Sequence, residues 1–131
     1  MLLGKKGNHT RALRIEVVLR IHRETPSGTF ESAVREFNAQ HPEMPFAIDE
    51  PKCLLTDLLA DMRHFVRHRQ QGKHGLRRHH SRTDFASSPE LKGIVDNLRE
   101  FADEHGLCWE TALDDSLMHF KTELKEEQEV A

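Results

Sequence analysis

The chain has 131 residues, 37% of them hydrophobic, and a formal net charge of −3 at pH 7, so it is long enough to bury one core without disulfide or metal staples. Its two cysteines are too few for a disulfide framework, and no apolar run approaches the roughly 20 residues that span a bilayer. The start, Met1-Leu2-Leu3-Gly4-Lys5-Lys6, has too short an apolar run for a secretory signal, and the expectation is one reduced, cytoplasmic domain over 1–131.

From Leu13 to Ile21 the chain alternates. Leu13, Ile15, Val17, Leu19 and Ile21 fall on one side, and Arg14, Glu16, Val18, Arg20 and His22 on the other. Period two with many β-branched residues predicts a half-buried strand. The alternative is a helix with Leu13, Val17 and Ile21 on its stripe. Thr25-Pro26-Ser27-Gly28 ends this element, and Thr29 caps a helix whose apolar face is Phe30, Ala33, Val34 and Phe37. Two prolines, Pro42 and Pro45, end that helix near Gln40. Phe46-Ala47-Ile48 is then a short second strand, completing a small parallel sheet.

The strongest helical pattern opens at Asp49 or Glu50 with Pro51 in its first turn. It buries Leu54, Leu55, Leu58, Leu59, Met62, Phe65 and Val66, and runs to about Gln70. Ser88-Pro89 starts the next helix, with Leu91, Ile94, Val95, Leu98, Phe101 and Ala102 inward, and Gly106 stops it. The last helix carries Trp109, Ala112, Leu113, Leu117, Phe120 and Leu124 inward. Cys53 and Cys108 lie within these apolar patterns and read as small core residues, which leaves nucleophilic catalysis without a candidate thiol.

The predicted architecture is therefore α+β and helix-dominated: an N-terminal strand, with or without the second, packed with about four helices. A flexible basic loop at about 71–87 and a frayed acidic end at about 125–131 complete it. An all-α bundle is the alternative. A strand left unpaired within the chain implies a homodimer through its edge.

Charge is distributed unevenly. Residues 1–62 hold 8 Lys or Arg against 9 Asp or Glu, residues 63–83 hold 7 against none, and residues 84–131 hold 4 against 13. The basic stretch also contains His64, His68, His74, His79 and His80. Clustered cations without carboxylates recruit phosphates whatever the net charge. The expected nucleic-acid contacts are Arg63, Arg67, Arg69, Lys73, Arg77, Arg78 and Arg82, in a non-enzymatic accessory or regulatory protein. No aromatic residue interleaves with them, so base stacking is not indicated. An acidic protein surface is the other partner such a segment fits, which makes a protein-binding inhibitor or adaptor one alternative.

A second pattern lies on the same helix as Arg63. Asp57, Asp61, His64 and His68 recur at four, three and four residues, which aligns them on one face, and two imidazoles at i and i+4 can share a metal ion. Asp115, His119 and Glu123 repeat the alignment on the last helix. If the two faces meet they form a carboxylate and histidine site for a divalent transition metal, and the chain is then a metal-dependent enzyme. If they do not, they are two solvated faces and no cofactor is implied.

Overall fold

The computed structural model describes residues 8–25, 29–70 and 91–130. Five helices make up the described fold: α1 (Asn8–Glu24), α2 (Phe30–Gln40), α3 (Pro51–Gln70), α4 (Lys92–Glu104) and α5 (Trp109–Val130). No strand occurs among the described residues. The α+β expectation is thus corrected to the all-α alternative, and the dimer through a strand edge loses its premise.

The departure from strand over Leu13 to Ile21 has a physical cause. Ile15 and Val18 are wholly buried and Ala12, Leu19 and Ile21 nearly so, a set that fits helical spacing. The stripe is hard to see in the sequence because Arg14, a cation, belongs to it: its residue is only 7% exposed. A strand reading puts Val18 on the solvent side together with Arg14, whereas both face inward.

Phe46-Ala47-Ile48 is corrected as well. The amide of Phe46 donates to Asn38 Oδ1 at 2.8 Å, and Asn38 Nδ2 donates back to the Phe46 carbonyl at 3.0 Å. One side-chain amide thereby supplies the donor and acceptor that a neighbouring strand would have offered. Phe46 is buried against Phe37, with ring centroids 5.3 Å apart.

The remaining helix limits follow local chemistry. Thr29 caps α2, its Oγ1 accepting from the Ser32 amide at 3.1 Å. Pro51 is the first residue of α3, where its missing N–H costs nothing. Gly106 stops α4 with φ +65°. The Leu107 amide returns to the Ala102 carbonyl at 2.8 Å and the Gly106 amide to that of Asp103 at 3.3 Å, the pairing of a glycine-terminated helix. The expected start at Ser88-Pro89 lies outside the described residues.

α3 is the centre of the molecule, packed most extensively against α1 and α5. Every residue from Leu54 to Val66 except Asp57 is buried, so its surroundings are closed on all sides rather than along one stripe. α2 and α4 complete the shell, Phe30 meeting Phe101 edge to face with centroids 5.5 Å apart. Cys53 and Cys108, expected in the core, are both exposed. None of the described helices is long and apolar enough to cross a membrane.

Two glycine substitutions should move stability in opposite directions. Gly93→Ala adds a methyl in open space, within α4, and should stabilise by about 0.5 kcal/mol. Gly106→Ala forces an L side chain to positive φ and should destabilise by about 1 kcal/mol. Urea denaturation of both variants checks the pair.

Candidate functional site

Because α3 is enclosed, its polar residues are enclosed with it. Asp61, Arg63 and His64 are 1%, 1% and 0% exposed, and each is matched by a group on α1 or α5. Arg14 Nε donates to Asp61 Oδ2 at 2.7 Å. The same guanidinium lies 4.1 Å from the centroid of the Phe46 ring, a cation–π contact that ties the α2–α3 connection to α1.

Arg63 points into α5. Its Nε donates to Ser116 Oγ at 3.2 Å and its Nη2 to the Leu113 carbonyl at 3.1 Å. Ser116 Oγ donates to that carbonyl as well, at 2.9 Å. One helical carbonyl is thereby made the focus of a buried cation, the kind of satisfaction a guanidinium needs away from water.

His64 Nε2 lies 2.8 Å from Glu123 Oε1. A carboxylate accepts, so this contact places the imidazole proton on Nε2. Nδ1 is then an acceptor, buried and without a partner among the described residues. The other oxygen of Glu123 accepts from Arg11 Nε at 3.0 Å, so Glu123 joins α1, α3 and α5 at one point. Phe120 covers the imidazole with ring centroids 4.7 Å apart.

Of the predicted metal residues, His64 and Glu123 do meet. Asp61 turns instead to Arg14, and no group of three His, Cys, Asp or Glu side chains gathers to hold an ion among the described residues. The His68 side chain lies outside those residues. Of the predicted nucleic-acid contacts, Arg63 is interior and Arg67 partly buried. The Arg69 side chain and Lys73, Arg77, Arg78 and Arg82 lie outside the described residues. Sequence reasoning missed Arg11, Arg14 and Ser116; the only available signal was that Arg11 and Arg14 fall in helical register with Val18 and Ile21.

Electrostatics in this seam oppose one another. Burial pushes the Asp61 carboxyl up to about 7, with the Arg14 guanidinium pulling the other way. Burial pushes the His64 imidazole down, against its hydrogen bond to Glu123. The folded protein thus holds the Asp61 proton more tightly than the unfolded chain does, and that contribution to stability falls as pH rises from 3.8 to about 7. The folded protein holds the His64 proton less tightly, and that contribution is lost as pH falls below 6.5.

Asp61→Ala leaves Arg14 buried without its carboxylate and should cost about 3–5 kcal/mol, most of it recovered when Arg14→Met is combined with Asp61→Leu; denaturant midpoints report both. Between about pH 7.5 and 5.5, His64→Gln should lose less stability than the native chain, by up to about 1.4 kcal/mol, while Asp61→Asn should lose more. Identical pH slopes in all three proteins would exclude this assignment. No protein-family model, curated protein or solved structure matches this chain, so its functional reading rests on its own residues and charges.

Proposed function

We propose that this is a non-enzymatic accessory or regulatory protein that contacts nucleic acid, or a nucleoprotein complex, through the basic stretch beginning in the last turns of α3. The charge map carries the reading: seven Lys or Arg and no carboxylate between residues 63 and 83, in a chain that is otherwise acidic. Such a segment neutralises phosphates and releases their counterions without needing a preformed pocket.

The interior of α3 narrows the set of residues. Arg63 is spent on Ser116 and the Leu113 carbonyl, so the contacts fall to Arg69, Lys73, Arg77, Arg78 and Arg82, with Arg67 at their edge. The non-enzymatic part is supported by Asp61 and His64, the most reactive-looking pair on α3, which are closed off from any substrate.

Fluorescence anisotropy of labelled duplex DNA and of RNA, titrated across salt concentrations, tests the reading. Binding should weaken linearly on a log–log plot. Changing Lys73, Arg77, Arg78 and Arg82 together to Gln should reduce the slope on duplex DNA by about 0.9 for each phosphate that is no longer neutralised. Equal affinity and slope in the native and substituted chains would reject it.

A further inference from the structure

α5 is held to the bundle in different ways along its length. Its first half is fixed by contacts that acid does not alter: Ala112 and Leu113 lie in the apolar core, and the Arg63 guanidinium binds Ser116 Oγ and the Leu113 carbonyl. An arginine does not lose its charge inside a protein. The second half turns outward, with Leu117 and Leu124 only half-buried and Phe120 the one buried residue from 117 to 126. Phe120 packs on the His64 imidazole, outside the contiguous apolar core of the described residues.

The polar joint of that second half is Glu123, which meets His64 through one oxygen and Arg11 through the other. A neutral imidazole suits this joint, because its proton is used on Glu123 and Nδ1 needs none. A second proton lands on Nδ1, where no described residue accepts it, and the ring then carries a buried charge. The charged groups facing it come from all three helices. After burial, which opposes charging, the strongest influence is Glu123 of α5, which favours it, while Arg11 of α1 and Arg67 of α3 oppose it. Asp61, one turn back on α3, faces Arg14, Asp57 and Glu123, and burial first brings its proton on at about 7. That step comes ahead of His64, held below 6.5, and by removing a repulsion on Glu123 it works against opening.

We propose that His64, Glu123 and Arg11 form an acid-released latch: when His64 takes up its second proton, the half of α5 from Leu117 to Glu126 leaves α1 and α3, while the half from Trp109 to Ser116 stays docked. Release lets the imidazolium reach water through both nitrogens. It also carries the Glu123 carboxylate away from Arg11 and Arg67. The end of α3 that leads into the basic stretch thereby becomes more positive, through the added proton and the departed carboxylate together. A buried histidine that must charge is a recurrent trigger of such changes, and helix ends are the elements that open at least cost.

Hydrogen exchange of the full chain tests this, resolved by fragment mass spectrometry from about pH 7.5 to 5.5 and corrected for the intrinsic pH dependence of exchange. Protection of the amides of residues 121–126 should fall by up to about tenfold per pH unit, the limit for one linked proton, while that of residues 112–116 stays within roughly twofold. His64→Gln keeps a donor for Glu123 and should abolish the fall. His119→Gln, at an exposed imidazole on the same half of α5, should leave it intact. Glu123→Gln retains an acceptor for Nε2 but removes the charge that favours the imidazolium, so it should steepen the dependence. Equal loss of protection in both halves of α5 overturns the proposal, and so does unchanged protection of the second half. Both of these are read on the native chain and decide the matter even if a variant does not fold. A fall that survives His64→Gln also overturns it.

Discussion

A guanidinium and a carboxylate 2.7 Å apart, both almost entirely withdrawn from water, set the terms for this fold. Asp61 sits in the middle of the most enclosed helix, where an unpaired carboxylate is expensive. Arg14 therefore has to come inward, and α1 comes with it. That positions Ile15 and Val18 in the core and Arg11 within reach of Glu123, so one buried pair organises the packing of α1, α3 and α5. Phe46 lies under the Arg14 guanidinium, which extends the same constraint to the connection between α2 and α3.

Around that pair the bundle repeats one solution. Arg63 finds oxygens on α5 and His64 finds Glu123. Each contact joins α3 to a neighbour by a directional bond, whereas Leu54, Leu58 and Leu59 supply burial without direction. Such polar contacts add little net stability over an apolar replacement. They do penalise a rotation or slip of α3, because any such shift would leave a charge buried alone. Nδ1 of His64, without a partner among the described residues, is where this satisfaction is incomplete.

The consequence for function is a division between interior and surface. Asp61 and His64, which resemble part of a catalytic or metal-binding face, are interior, so the functional reading proposed for this chain rests on the charge of the basic stretch rather than on them.

Local signals were legible in the amino-acid order because they act within one turn of chain. Thr29 before an apolar helix and Gly106-Leu107 after α4 set boundaries through hydrogen bonds to residues three to five positions away, and Pro51 sets one through the N–H it lacks. The apolar sides of α2, α3 and α4 were equally plain, since their stripes are unbroken. The candidate site was not legible in the same way. Arg14 looked like a solvent-facing residue and made a helix read as a strand; Asp61 and His64 looked like a solvated or metal-binding face for the same reason, that a charged side chain is judged exposed until its partner is known. Those partners are 47 and 59 residues away in the chain. Amino-acid order was enough to locate α2, α3, the body of α4 and α5, most of the apolar residues they bury and the concentration of positive charge. That α1 is a helix, and that the polar side of α3 is interior, emerged only in three dimensions, because both depend on charges neutralised by residues that periodicity cannot connect.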